Sequence, residues 1–256
     1  LVRSRGLGDV YKRQAYYDFA RNADDISDSA TLPAADKITR LDAMEAVLTG
    51  ALDEGSPSAL TLRQSLAESG VTAEHARELL VAFRRDVTKL RYESWEELLD
   101  YCRYSAAPVG RYVLDVHGES RETWAPSDAL CASLQVLNHL QDCAKDLRAL
   151  DRCYVPQSWL REQGLTTDDI ARPETSPALR LVFDKMLDAT EALNRDAAAL
   201  PGRVRSRRLR IETAIICALA RRLTSLLRAG DPLATRVKLS KFDLLNASLK
   251  GLRYAL

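Results

Sequence analysis

The sequence contains few residues that interrupt helices and few aromatic residues. Of its 256 residues, 11 are glycine, 9 are proline and only 6% are aromatic. It also lacks convincing stretches in which polar and apolar residues alternate, whereas apolar residues recur three, four or seven positions apart along most of the chain. Collagen-like and disordered classes are therefore excluded, and the sequence predicts an all-α fold.

Long apolar runs and an excess of one charge are absent too. The purest apolar run, 214–220, is far shorter than the roughly 18 residues that indicate a membrane span. Lys and Arg number 37 against 36 Asp and Glu, so the strongly basic balance of a nucleic-acid-binding protein is missing. The five cysteines are odd in number and show no Cys-x-x-Cys spacing. We therefore expect neither a disulfide framework nor a zinc site, and we expect a reducing, cytoplasmic setting.

Residues 1–14 do not resemble the rest of the chain. They are basic and lack the apolar core and the cleavage site of a signal peptide. Gly6 and Gly8 resemble the start of a dinucleotide-binding fingerprint, but Tyr11 stands where its third glycine would be. We interpret residues 1–14 as a non-native, adapter-like segment that runs into a helix at Ala15. Residues 15–256 are expected to form a single domain.

Helix ends are marked by capping residues and by breakers. Ser94 with Glu97 has the pattern of a capping box, Ser176-Pro177 supplies a cap and a first-turn proline, and Pro126-Ser127 precedes a long segment to Leu150. Breaks are predicted at 50–57, 118–126, 151–157, 164–177, 201–202 and 230–232. The breaks are short, which favours a compact helical bundle.

The first candidate for chemistry is a pair of aspartates. Asp24 and Asp28 are four residues apart within an amphipathic segment, so both carboxylates should project from one helix face. Such a pair destabilises an isolated helix, but acidic pairs of this kind are common on solvated surfaces. Taken alone, the pair therefore leaves both the functional and the surface interpretation open.

The second candidate is a polar stripe. Its members are spaced three, four and four residues apart, and they are Gln135, Asn138, Asp142 and Asp146. Leu134, Leu137 and Leu140 occupy neighbouring positions on the helix. A solvated face more often carries Lys and Glu than an ordered series of amides and aspartates, so this stripe favours a function.

Together the two aspartate pairs suggest a metal-bridged substrate. Two antiparallel helices of a bundle can face each other with one acidic patch on each side. Carboxylates suit Mg²⁺, which keeps several waters and bridges one or two carboxylates to substrate phosphates. A diphosphate is the simplest substrate that fits this arrangement. A di-iron site would need Glu three residues ahead of a histidine, which His75, His117 and His139 lack. We expect His139 to be a packed or hydrogen-bonded residue rather than a ligand.

Three segments resemble a known family. FARNADDISD (19–28) and LQVLNHLQDCAKDLRALDRCYVP (134–156) resemble the two aspartate-rich signatures of the squalene and phytoene synthases. YCRYSAAPVG (101–110) is similar to a third family segment between them. The resemblance covers about 15–241 and implies an isoprenoid synthase-type helical bundle around a central cavity. The family's first helix has no counterpart here and is expected to be missing from this chain.

The resemblance also implies roles for individual residues. Mg²⁺ would be held on one side of the cavity by Asp24 and Asp28, and on the other by Asp142 and Asp146. Arg21 would approach the diphosphate, Tyr101 would line the cavity near the leaving group, and Asn138 would assist metal or diphosphate binding. Substrate or diphosphate contacts are further assigned to Gln135, Gln141, Arg152 and Tyr154. Tyr101 and Tyr154 could equally be core tyrosines with a hydrogen-bonded hydroxyl.

Gln141 indicates a branch within the family. Condensing members usually carry Arg directly before the first aspartate of the second signature, where this chain has Gln141. That glutamine, together with the segment YCRYSAAPVGR (101–111) and the tail RVKLSK (236–241), resembles the hydroxysqualene synthase branch of bacterial hopanoid pathways. Such enzymes ionise presqualene diphosphate, let the carbocation rearrange and capture it with water, without a reductant.

Two alternatives stay open. One is head-to-head condensation of two farnesyl or geranylgeranyl diphosphates to presqualene diphosphate, squalene or phytoene. The other is a non-catalytic helical assembly factor, although such a protein has no need of four aligned carboxylates. The resemblance further implies companion enzymes of the squalene pathway and peripheral contact with the inner face of the membrane, and it gives no reason to expect a nucleic-acid partner.

Overall fold

The computed structural model describes residues 2–254, apart from the side chains of residues 2–7 and 9, and Leu1 of the adapter-like segment lies outside the described residues. Within this part of the chain the secondary structure is helical, and the β-type pairing found there is one isolated parallel bridge between Arg91 and Cys153. The prediction of an all-α fold is confirmed.

The helices follow one another with short connections. The α-helices are α1 (Val2–Ser27), α2 (Ala34–Thr49), α3 (Pro57–Ser69), α4 (Glu74–Thr88), α5 (Trp95–Ser105), α6 (Ala107–Val116), α7 (Trp124–Leu150), α8 (Gln157–Glu162), α9 (Pro177–Ala197), α10 (Leu200–Arg203), α11 (Arg207–Ala229) and α12 (Lys241–Leu252). Two short 3₁₀ helices cover Arg121–Thr123 and Thr167–Ala171.

The chain divides into two compact units, which are described separately. Unit 1 comprises Leu1–Lys89 and Tyr104–Gly118, and unit 2 comprises Leu90–Arg103 and Glu119–Leu256. The single domain expected over residues 15–256 stays a prediction.

The core of unit 1 is built on the inner face of α1. Tyr16 stacks on Tyr112 of α6, with ring centroids 4.0 Å apart. Large side chains from α1 to α4 fill the space around this pair; they include Phe19, Leu41, Leu62 and Leu80. The apolar spacing of three and four residues along these helices produces this buried face.

α1 starts earlier than the sequence pattern suggests. The helix expected from Ala15 begins at Val2, inside the adapter-like segment. Within this earlier part of α1, the carbonyl of Lys12 accepts a hydrogen bond from the hydroxyl of Tyr112 at 3.0 Å, which ties this part of α1 to α6. The adapter-like origin of residues 1–14 stays a prediction.

Unit 2 is organised around α7, which packs against α9 and α11. A buried chain of hydrogen bonds links the three helices. Ser133 Oγ donates to Asn194 Oδ1 at 2.7 Å, and Asn194 Nδ2 donates to Thr224 Oγ1 at 3.0 Å. Satisfied polar groups of this kind fix one relative position of packed helices, because any slip would leave them unpaired.

The predicted helix ends are largely confirmed. Ser176 caps α9 by accepting the N–H of Leu179 at 3.2 Å, and Ser94 accepts the N–H of Glu97 at 3.3 Å. The Glu97 carboxylate accepts from the N–H of Glu93, so its bond lies one residue before the capping-box position.

Two predicted boundaries are wrong. α7 begins at Trp124, and Pro126 lies in its first turn, where a missing N–H costs no helical hydrogen bond. The predicted break at 201–202 is instead the short helix α10, which has its proline in the first turn for the same reason. Over the described residues, no helix combines the length and the apolar character that crossing a membrane would require.

Candidate active site

The candidate residues fall in both units, and each group is described by itself. In unit 1, Arg21 forms ion pairs at the C-terminal end of α1. Its guanidinium lies 3.0 Å from Asp24 Oδ2 and 2.8 Å from Asp25 Oδ1. Asp28 directly follows the helix, and its N–H donates to the carbonyl of Asp24 at 2.9 Å. The two predicted ligands therefore keep helical spacing, which places Asp24 and Asp28 one turn apart.

The carboxylates of unit 1 remain accessible to solvent. Asp24 and Asp28 are half-buried and Asp25 is exposed. Ser27 stays buried beneath them, and its hydroxyl contacts Asp28 Oδ1 at 3.4 Å. The main chain at this point is held by Lys37, whose Nζ donates to the carbonyl of Ser27 at 2.9 Å. The end of α1 is thus fixed in place while its carboxylates stay partly exposed to solvent.

In unit 2, α7 carries the polar stripe. Asn138 is exposed, whereas Gln135, Asp142 and Asp146 are half-buried. The stripe therefore lies on a partly open face of a helix whose other face is buried among α9 and α11. His139 is on the same side, four residues after Gln135 and three before Asp142, and it is 5% exposed.

A cluster of three tyrosines and His139 lies against this stripe. His139 stacks on Tyr154 with ring centroids 3.5 Å apart and an interplanar angle of 15°. Tyr101 lies 5.6 Å from Tyr154 and 6.1 Å from His139, and Tyr92 lies within 6 Å of both tyrosines, at 5.2 and 5.6 Å. All four side chains are buried. The structure thus brings Tyr101 and Tyr154 together beside α7, and the sequence-based roles of both stay predictions.

His139 is an uncharged member of this cluster. Burial and the nearby Arg152 cation lower the pKa of His139 to about 3. The Gln135 amide nitrogen lies 3.1 Å from His139 Nε2, which is within hydrogen-bond distance. In the part of the chain that the structure describes, Nδ1 meets no hydrogen-bond partner. The expectation that His139 is a packed or hydrogen-bonded residue is confirmed.

Tyr92 is a residue that the sequence reasoning missed. The segment that contains it runs beside the segment that follows α7. The N–H of Cys153 donates to the carbonyl of Leu90, and that of Gln157 donates to the carbonyl of Tyr92, each at 2.9 Å. Arg91 binds the main-chain carbonyl of Asp151 and also its carboxylate, the latter at 2.6 Å. These long-range bonds place Tyr92 and Tyr154 side by side. No local sequence motif predicts them.

Gln141 is fixed by a contact to a distant segment. Its amide nitrogen donates to the carbonyl of Val237 at 2.6 Å. Arg152 is buried, and its N–H donates to the carbonyl of Asp146 at 3.3 Å just beyond the end of α7. Both assigned residues are therefore held by main-chain contacts on either side of the aspartates of α7.

The atoms that could bind a metal at the two aspartate pairs are suited to a hard cation. They are oxygen atoms of carboxylates and amides, without a thiolate or imidazole among the assigned ligands, which is the chemistry that Mg²⁺ prefers. Within residues 2–254, no group of three or more His, Cys, Asp or Glu side chains is arranged to hold a metal ion. Two carboxylates with open positions still fit Mg²⁺, because that ion normally keeps waters and substrate oxygens among its ligands.

Comparison with known proteins places the chain in a family. The squalene/phytoene synthase family model matches residues 13–243. Hydroxysqualene synthase of Rhodopseudomonas palustris is 47% identical over 234 residues, which is 91% of this chain and 80% of that protein. Hydroxysqualene synthase of Zymomonas mobilis is 44% identical over 233 residues, which is 90% of this chain and 78% of that protein.

A solved structure agrees with these sequence matches. The crystal structure of squalene synthase HpnC from Alicyclobacillus acidocaldarius superposes with a TM-score of 0.74 at 32% sequence identity, covering 84% of this chain and 81% of that one. The family resemblance and the isoprenoid synthase-type fold expected from the sequence are confirmed. The chain belongs to the squalene/phytoene synthase family.

Proposed function

We propose that this protein converts presqualene diphosphate into hydroxysqualene and inorganic diphosphate. The observation that carries the proposal is its 44 to 47% identity, over about 90% of the chain, to proteins named hydroxysqualene synthase. Gln141 supports the same branch, because its side chain is neutral and engaged with Val237, so this position offers no cation for a second diphosphate.

In this proposal the aspartates bind metal. Asp24 and Asp28 of unit 1 and Asp142 and Asp146 of unit 2 would each supply carboxylate oxygens to Mg²⁺. Bound Mg²⁺ would neutralise charge on the diphosphate. The open faces on which both pairs lie leave room for the waters and phosphate oxygens that complete the coordination.

Other residues would act on the diphosphate directly. We assign Arg21 to contact its oxygens, because a guanidinium forms charge-assisted hydrogen bonds with phosphate. Asn138, exposed on the stripe, would donate an amide N–H to the same group. Gln135 and Arg152 are assigned to substrate or diphosphate contacts around His139. When the carbon–oxygen bond breaks, both bonding electrons leave with the diphosphate, and these donors would stabilise the developing negative charge.

The aromatic cluster is suited to the positive charge left behind. Tyr101 and Tyr154, whose ring centroids lie 5.6 Å apart, would supply π-systems with a negative quadrupole that attracts a cation. His139 would assist by remaining neutral, since an imidazolium beside a carbocation would repel it. The rearranged cation then forms a carbon–oxygen bond with one water, which loses a proton to give the alcohol.

The condensing reaction is the second candidate within the family, and Gln141 is the feature that argues against it. The non-catalytic assembly factor is a third. We further place the protein in the cytoplasm and near companion enzymes of the squalene pathway. We also place it in peripheral contact with a membrane, because the hydrocarbon parts of its substrate and its product are apolar.

Product analysis tests the proposal. The protein is incubated with Mg²⁺ and either presqualene diphosphate or farnesyl diphosphate, next to Asp142→Ala and to the surface control Asp196→Asn. Hydroxysqualene formed from presqualene diphosphate, lost in Asp142→Ala and kept in Asp196→Asn, is the expected result. Turnover of farnesyl diphosphate would support the condensing branch, and silence with both substrates would support the assembly factor.

A further inference from the structure

α12 presents an unusual surface. Four large apolar side chains, spaced three, four and three residues apart, lie on one side of the helix and are exposed: Phe242 by 69%, Leu245 by 55%, Leu249 by 56% and Leu252 by 56%. Helices of soluble domains turn such a stripe towards the core. Here the stripe faces solvent, and contiguous exposed apolar patches of this kind mark interaction surfaces.

The opposite side of α12 explains why the stripe points outward. The helix packs on α11 through small residues, Ala247 and Gly251. A Cβ atom at Gly251 would come within 2.5 Å of Ile215 of α11, so this approach is close. Arg222 of α11 also binds Asp243 at 2.6 Å, and Asp243 completes a capping box with Ser240. Its small face and this ion pair therefore fix the rotation of α12.

The segment that contains the stripe is basic. Residues 236–254 carry five cations, which are Arg236, Lys238, Lys241, Lys250 and Arg253. Asp243 is the one carboxylate side chain in residues 236–254, and it forms an ion pair with Arg222. A groove of about 400 Å³ runs alongside α12 and is lined by Arg221, Lys250 and Arg253 together with Tyr254. In the described part of the chain, none of these three groove cations forms an ion pair.

We propose that α12 docks this protein on an anionic lipid bilayer, lying in the interface plane with Phe242, Leu245, Leu249 and Leu252 among the acyl chains. An amphipathic helix with Phe and Leu on one face and Lys and Arg beside them is the pattern that binds such interfaces. At about 18 Å for twelve residues, α12 lies on the bilayer rather than spanning it. The three cations of the groove, Arg221, Lys250 and Arg253, bind the phosphate groups of the lipids.

The charge beside the stripe favours an anionic bilayer over a second copy of the chain as its binding partner. A symmetric dimer through the stripe would bring two sets of these cations together, which like-charge repulsion disfavours. An anionic bilayer attracts the same cations, and each Lys or Arg near the surface adds to this attraction. The inference rests on the membrane contact included in the proposed function and deepens it by assigning that contact to the surface of α12, independently of the reaction.

Vesicle co-sedimentation tests the proposal with the full chain. Vesicles of phosphatidylcholine alone are compared with vesicles that also contain phosphatidylglycerol. We expect binding to the anionic vesicles that weakens as salt is added, and an at least tenfold loss in the double variant Leu245→Glu with Leu249→Glu. Leu181→Glu, which changes an equally exposed leucine on α9, is the matched control and should bind like the unchanged protein.

A second variant separates charge from apolar contact. Lys250→Gln with Arg253→Gln keeps the stripe and should reduce both the affinity and its salt dependence. Equal binding by the leucine variant and the unchanged protein would overturn the proposal, as would equal binding to neutral and anionic vesicles. A dimer that the leucine variant abolishes, without vesicle binding, would assign the stripe to a second copy. Turnover in detergent micelles, measured in parallel, reports on the proposed reaction separately.

Discussion

The side-chain amide of Gln141 donates to the main-chain carbonyl of Val237 across 2.6 Å. In the sequence, residue 141 and the tail 236–241 are two separate features that both favour the hydroxysqualene branch. In the structure they are one feature, because the amide ties the segment after α11 to α7 directly before Asp142. Position 141 therefore sets both the charge beside the aspartates and the attachment of the tail.

Replacing Gln141 tests its role in the choice of reaction. Gln141→Arg introduces a cation beside Asp142, and we expect the variant to gain condensation of farnesyl diphosphate. Products are identified by gas chromatography after incubation with each substrate. Gln141→Leu removes the bond to Val237 without adding charge and should show no such gain. An arginine variant whose hydroxysqualene output is unchanged would contradict this account.

Neutralising the aspartates should affect catalysis far more than folding. We expect Asp142→Asn, Asp146→Asn and Asp24→Asn each to lower kcat by about a hundredfold to a thousandfold, since each removes stabilisation of the departing diphosphate. All three side chains are half-buried on open faces, so thermal unfolding should change little.

Two further measurements make this prediction specific. Mg²⁺ with diphosphate should raise the melting temperature of the unchanged protein and raise it less in the three variants. Asp36→Asn, an exposed aspartate on α2, and Asp196→Asn are the matched controls. If the controls lose as much activity as the variants, the assignment of the ligands is wrong.

His139 should make the stability of the protein depend on pH. Its pKa is about 3 in the folded protein and about 6.5 in an unfolded chain. Between these values the unfolded chain binds the extra proton, so the free energy of unfolding falls as pH decreases from about 6.5 towards 3. The contribution of this group approaches about 1.4 kcal/mol per pH unit.

Urea unfolding at several pH values measures this effect. His139→Phe keeps an aromatic ring against Tyr154 and cannot be protonated, so its unfolding free energy should fall less steeply with acid than that of the unchanged protein. Slopes rather than absolute stabilities are compared, because the substitution changes packing as well. Identical slopes would show that His139 is not held neutral.

The buried bonds of Asn194 should stabilise unit 2. Asn194→Leu leaves Ser133 without its acceptor and Thr224 without its donor, and we expect a loss of about 2 to 3 kcal/mol in the free energy of unfolding. Denaturant titration with circular dichroism checks this. Ser133→Ala removes one bond of the same chain and should cost less. If Asn194→Leu left the free energy of unfolding unchanged, the hydroxyl groups of Ser133 and Thr224 would have to find other hydrogen-bond partners.

The features that could be predicted from the sequence are those set by neighbours along the chain. The cap at Ser176 and the helical spacing of Asp24 and Asp28 depend on residues within one turn, and both are found as predicted. The cluster around Tyr92 could not be predicted, because Arg91 and Asp151 are sixty residues apart when they pair. The start of α7 at Trp124 was missed because a proline fits inside a first turn as readily as before it.

Asp24 lies in the last turn of α1, a helix of 26 residues, and Asp28 directly follows that turn, whereas Asp142 and Asp146 lie eight and four residues before the end of α7. The aligned peptide dipoles of a helix place roughly half a negative charge at its C-terminal end, which in α1 adds to the carboxylates already there. The carboxylates of each pair, strengthened at the end of α1 by this dipole, therefore repel a bare diphosphate and attract divalent cations. Binding should consequently be ordered, so that diphosphate alone leaves the melting temperature unchanged and associates with the protein only together with its metal ions or after them.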